Sequence, residues 1–184
     1  TRTTEWGINA AGFNPHFDMP RNVYNQDRGA GGSSTGAGVA VALGLSPVAS
    51  GSDGGGSVRI PAAMNGVFGI KPTFARIGRS GDIFGGGTVS TVGPLGQSTR
   101  DLVDFLEVAA ARADREDPAS MAAPDVANFG KKLRASLGRG VQGCRIGIIQ
   151  ADWRDAATPL ALAANTAVKA LEDEGAELVD IELP

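Results

Sequence analysis

The sequence predicts an α/β fold, and two observations carry that prediction. Residues 31–73 alternate short apolar segments with glycine-rich turns, in the order helix, strand, glycine loop, helix, strand. Residues 144–183 then read strand, helix, strand, and that spacing requires a right-handed parallel crossover. At 184 residues, 42% of them hydrophobic, the chain is long enough to bury a sizeable core.

Each element has its own signal. Residues 1–30 carry NPHF, MPRN and NQDRG, which mark turns and loops. GGSSTGAG (31–38) leads into VAVALGL, a short apolar helix. SPVASGSD (46–53) reads as a short buried strand, followed by GGGS and by VRIPAAMNG, a helix stopped by Asn65-Gly66. VFGIKPT (67–73) reads as a second buried strand. Beyond a loop at Gly85-Gly86-Gly87, STRD (98–101) forms a capping box: the Ser98 side chain accepts an N–H three residues on, and Asp101 reaches back. The helix it starts, about 99–113, aligns Leu102, Phe105, Leu106 and Ala109 on one face. Residues 114–127 are a polar, proline-containing loop, and a short helix is expected near 129–137. The tail offers a strand at 144–150, with Cys144 buried in it, an amphipathic helix at 159–176 stopped by Gly175, and an alternating strand at 177–183.

Composition excludes several function classes. A net charge of −3 and a pI of about 5.1 argue against a nucleic-acid surface, and 5% aromatic residues leave little for base stacking. With Cys144 as the single cysteine, no intrachain disulfide is possible and a reducing compartment fits. The longest apolar run, Ala37 to Leu45, is too short to cross a bilayer, and no signal peptide is visible, so a cytoplasmic protein away from membranes is expected. The single histidine, His16, has no carboxylate or cysteine at ligand spacing, so no metal is expected. No Gly-Lys-Ser/Thr P-loop occurs, and both G-x-G-x-x-G candidates fail at their last glycine, so no nucleotide cofactor is expected either.

The stretch SGSDGGGSVRIPAA (50–63) asks for a ligand. Gly54, Gly55 and Gly56 present successive N–H groups just before a predicted helix, whose N-terminus carries partial positive charge. Such donors suit an oxyanion beside a Ser57 nucleophile; the same residues also suit a tight turn with no chemistry. Unless His16 is the base, a Ser-His-Asp triad is excluded within the chain. A second cluster, GGSSTG, lies upstream, and its Ser33 precedes Ser57 by 24 residues.

Together, GGSSTGAGVAVALGLSPVASGSDGGGSVRIPAAMNGVFGIKPT (31–73) closely resembles the signature of the amidase signature family. That pattern runs roughly GGSSGGS, an apolar helix, G-T-D-x-G-G-S-[IV]-R-x-P-A, then G-[VIL]-K-P-T. The flanks NPHFDMPRN, VGPLGQSTRDLVDFLEV and DREDPAS agree with it. The departures are small: Thr35 stands where glycine is usual, Ser52 replaces threonine, and Gly54 fills a variable position.

The resemblance implies an α/β/α sandwich with a mixed central sheet, incomplete at both ends. The chain would be part of one domain, with the signature core at 31–97 and a helical region plus a strand-helix-strand unit at 98–184. It implies a Ser–cis-Ser–Lys triad without metal or cofactor. Ser57 would be the nucleophile. Ser33, joined to Gly32 by a cis peptide, would be the bridging serine. The N–H groups of Gly54, Gly55, Gly56 and Ser57 would form the oxyanion hole, and Asp53 and Arg59 would hold its shape. The family's lysine lies N-terminal to the first serine cluster, but none of the 32 residues before Ser33 is lysine. Lys71 belongs to the separate GIKPT motif, so the base is expected upstream, on a missing part of the same enzyme. The expected partners are a small-molecule amide substrate and the missing N- and C-terminal parts, with a homodimer left open. The expected reaction is hydrolysis of a carboxylic amide. One alternative is the A-type component of a glutaminyl- or asparaginyl-tRNA amidotransferase, although FARIGRSGDIFGGG (74–87) departs from the stretch usual in that protein. The other is a non-catalytic protein on the same fold.

Overall fold

The computed structural model describes residues 1–82, 87–124 and 128–182. Gly85 and Gly86 of the expected glycine loop, residues 125–127 of the polar loop and Leu183 of the last strand lie outside the described residues. The chain divides into two compact units, Thr1–Ala135 and Ser136–Pro184.

In the first unit the expected order holds: α1 (Thr35–Ala42), β1 (Val48–Asp53), α2 (Arg59–Met64) and β2 (Phe68–Gly69). An additional strand, β3 (Thr91–Gly96), lies between β1 and β2 and pairs antiparallel with both. Its sequence TVGPLG is punctuated by glycine and proline, which is why it does not read as a strand. Pro94 also explains why β2 spans two residues instead of the expected seven. Register places Ile70 opposite Pro94, and the Ile70 N–H donates to the Pro94 carbonyl at 3.1 Å. Pro94 has no N–H to return, so the ladder stops at Gly69. β1 is also less buried than expected: of its residues only Asp53 is fully buried.

The core beneath the sheet is built from small side chains. Ala37 and Val41 of α1, Val58 and Ala62 at α2, and Leu95 of β3 pack together with Ala49 and Val67. Gly38 lets α1 meet α2 closely, since a Cβ there would stand 3.0 Å from that of Pro61. α3 (Thr99–Ala109) follows β3 and buries Leu102, Val103 and Leu106, while Phe105 and Ala109 are half-buried. Ser98 caps it by accepting the Asp101 N–H at 3.2 Å. The Asp101 carboxylate accepts a hydrogen bond from the Ser98 hydroxyl at 2.7 Å rather than from a backbone N–H. The loop at 114–127 contains a short helix, α4 (Pro118–Ala122), capped by Asp117, and α5 (Phe129–Ser136) follows.

The second unit holds the expected strand, helix, strand. β4 (Arg145–Ile148) and β5 (Glu177–Asp180) pair parallel, with Arg145 opposite Glu177. Between them lie α6 (Gln150–Asp155), which the sequence did not signal, and α7 (Thr158–Asp173), closed by Gly175 at φ +90°. Cys144 is exposed in the turn before β4, not buried in the strand. No helix among the described residues is long and apolar enough to cross a membrane.

Candidate active site

The two serine clusters meet because the turns that carry them are bonded to each other. Ser34 opens α1, and its N–H donates to the Ser57 carbonyl at 3.2 Å. Its hydroxyl accepts the Ser52 N–H at 3.3 Å, which ties the start of α1 to β1. Gly51 makes that approach possible: a Cβ there would sit 2.8 Å from the Ser34 Cβ, closer than any real contact. Ser33, immediately before, is 3% exposed, and the Gly32–Ser33 peptide bond is cis. Ser33 and half-buried Ser57 line one cavity of about 740 Å3.

The glycines between Asp53 and Ser57 differ in their surroundings. At Gly56 the φ of +118° favours glycine, a Cβ would strike Ile60 at 2.7 Å, and the N–H donates to Asp53 Oδ1 at 2.8 Å. Gly54 and Gly55 are exposed and line the cavity. A Cβ at Gly55 would meet nothing within 4 Å, and one at Gly54 only Ser90 at 3.9 Å. Neither has a positive φ, so packing and backbone geometry leave both positions open to larger residues. Close approach of a ligand to the backbone is a reason for glycine there. Among the described residues, no protein acceptor takes the N–H of Gly54, Gly55 or Ser57.

Asp53, fully buried at the end of β1, organises this turn. It accepts the N–H groups of Gly56, Val58 and Arg59 and a bidentate pair of bonds, both 3.0 Å, from the Arg59 guanidinium. Burial pushes its pKa up, but the Arg59 side chain and the three N–H donors together outweigh burial and lower it from 3.8 to about 2. The carboxylate is therefore ionised whenever the protein is folded near neutral pH.

Several wall residues gave no warning in the sequence. Ser90 and Ser52 share a hydroxyl contact of 2.9 Å on the cavity side of the sheet. Arg79 donates from Nη1 to the carbonyls of Gly87 and Ser90 and stacks on Phe74, 4.8 Å from the ring centroid, which fixes this rim. Asp82 and a turn at 4–7 complete the wall. The one hint in the sequence was TTEWG (3–7), a tryptophan beside a glycine in an aromatic-poor chain. Lys71 donates to the Pro72 carbonyl at 3.4 Å and does not line the cavity. His16 pairs with Glu5 at 3.1 Å on the surface, also outside the lining. Among the described residues no group of three or more His, Cys, Asp or Glu side chains is placed to hold a metal.

Comparison with known proteins decides the family. The amidase family model matches residues 1–184, the whole chain. The chain belongs to the amidase signature family. It is 36% identical over 185 residues to the A-type component of the glutamyl-tRNA(Gln) amidotransferase of Akkermansia muciniphila, covering 100% of this chain and 38% of that protein. Its fold superposes on the peptide amidase of Stenotrophomonas maltophilia with a TM-score of 0.82 at 31% identity, over 100% of this chain and 38% of the other. The A-type component of the Thermotoga maritima glutamyl-tRNA(Gln) amidotransferase gives a TM-score of 0.83 at 26% identity, over 100% and 39%. The chain thus spans under two-fifths of the length of these relatives.

Proposed function

We propose that this chain carries the nucleophile, the bridging serine and the oxyanion donors of an enzyme that cleaves a carboxylic amide through a serine acyl intermediate. The observation that carries the reading is the meeting of Ser33, Ser57 and the uncrowded Gly54 and Gly55 on one cavity wall. Ser57 Oγ attacks the amide carbonyl carbon. Its proton passes to Ser33 Oγ, and the Ser33 proton passes to a neutral lysine, which the family resemblance assigns to a segment N-terminal to this one. The carbonyl oxygen becomes an oxyanion facing the N–H groups of Gly54, Gly55 and Ser57, while Gly56 gives its N–H to Asp53 and holds the turn. Each such donor contributes about 3–4 kcal/mol to the transition state in known cases. The C–N bond then breaks, the proton returns along the relay to the leaving nitrogen, and water releases the acid from the Ser57 ester.

The test is labelling of the full-length protein by a fluorophosphonate probe. Wild type should label; Ser57→Ala should abolish labelling, and Ser33→Ala should slow it by about 100-fold or more. A folded wild type that does not label would overturn the reading. A second reading is favoured by the 36% identity to the A-type component of a glutamyl-tRNA(Gln) amidotransferase. In it the same acyl chemistry acts on glutamine, and the ammonia passes to a partner protein. Glutamine cleavage that accelerates only with the partner proteins present would select it over a free-standing amidase.

A further inference from the structure

The cavity wall also indicates what the amide carries. Glycine, alanine, serine and threonine make up most of the described lining, and among the described residues its large apolar side chains are Trp6 and Ile8. They are 61% and 84% exposed, in a chain whose aromatic content is only 5%. Trp6 is held there against its own backbone preference, at φ +53°, a region that bulky side chains rarely adopt. The turn that imposes this is well bonded. The Gly7 N–H donates to the Thr4 carbonyl at 3.1 Å, and the Asn9 N–H to Thr4 Oγ1 at 3.4 Å. The turn is also anchored at the reacting centre. The Thr4 N–H and the Thr3 hydroxyl both donate to the Ser33 carbonyl, at 3.3 and 2.7 Å. Gly7 passes so near that a Cβ there would stand 3.6 Å from Ser33 Oγ. A strained aromatic residue that lines the cavity, in a turn bonded to Ser33, has the geometry of a substrate contact.

We propose that Trp6 is a specificity-determining residue, and that Trp6 and Ile8 form the apolar wall against which an aromatic or extended aliphatic substituent of the amide packs. The substrate class is then an amide with an apolar arm rather than a small aliphatic amide. This rests on the serine reading above. An aromatic substituent gains apolar burial and an offset or edge-on contact with the indole. Acetamide is too short to reach the wall and gains neither.

The experiment compares phenylacetamide with acetamide as substrates of the full-length protein, in wild type, Trp6→Ala and Trp6→Phe, with fluorophosphonate labelling of each to report an intact Ser57. Trp6→Ala should still label. Its kcat/KM for phenylacetamide should fall about tenfold to a hundredfold, mainly through KM, while that for acetamide changes less than about twofold. Trp6→Phe should restore most of the preference. An equal loss on both amides would make the turn a scaffold for Ser33 and overturn the proposal, as would no loss on either. A wild type that neither labels nor cleaves either amide removes the serine reading and this inference together. A labelled, active wild type whose preference survives Trp6→Ala removes this inference alone.

Discussion

Asp53 is the side chain from which the glycine turn hangs. Five hydrogen bonds converge on its two oxygens, and its pKa is held near 2 against 3.8 for the free side chain. A depressed carboxylate pKa contributes stability that is fully present above about pH 5 and is lost as pH falls from about 4 towards 2. For a side chain with no exposure, the shift amounts to about 2 kcal/mol. Asp53→Asn should therefore lower the urea midpoint at pH 7 by the equivalent of about 2–4 kcal/mol and flatten the acid limb of stability between pH 4 and 2. An unchanged acid limb would mean the bonds are not made. Arg59→Ala should cost less, since the Arg59 side chain is 54% exposed, and should alter stability more than substrate preference. The family resemblance implies that Asp53 and Arg59 hold the shape of this turn, and the five bonds are how they do it. Thr35 was not legible in the sequence. Its hydroxyl is buried with no partner among the described residues, so Thr35→Val should hold or raise stability by about 1 kcal/mol in the same denaturation measurement.

At the scale of elements, the site depends on how closely α1 approaches β1. That distance is set by Gly51, opposite Ser34. Gly51→Ala should push Ser34 away and carry Ser33 with it. The stability cost is about 1–3 kcal/mol, but fluorophosphonate labelling of Ser57 should slow by more than that loss of folded protein explains. Labelling at the wild-type rate in the folded variant would show that the site tolerates a shift of the helix. The sequence showed α1, β1 and α2 because each has an apolar run bounded by glycine or asparagine. It hid β3, the strand on which the others pair, because Gly93 and Pro94 look like punctuation. Gly93 is required there: a Cβ would collide with the Ile70 carbonyl. A strand whose residues answer to its neighbours rather than to its own period cannot be recognised without those neighbours.

Composition and compactness divide the whole molecule differently. Nineteen of the 27 glycines fall between Gly29 and Gly96, whereas the compact units divide after Ala135. The difference arises because α3, glycine-free and helical in character, packs its buried face on the glycine-rich sheet, where a Cβ at Gly96 would touch Leu102 at 3.1 Å. In the first unit Leu95 is fully buried among Ala37, Val41, Val58 and Ala62; in the second, Ile148 and Ala176 are 8% and 7% exposed. Leu95→Ala removes three heavy atoms from the middle of a core made of small residues, which have little freedom to close the gap, and should cost about 2–5 kcal/mol. If the units hold their structure separately, that loss stays in the first. Amide hydrogen exchange should then accelerate in β1 and β3 and keep its wild-type rates in β4 and β5. Equal acceleration in both sheets would make the chain one cooperative body. In that case a substitution anywhere in the second unit would disturb Ser57 as surely as one beneath it.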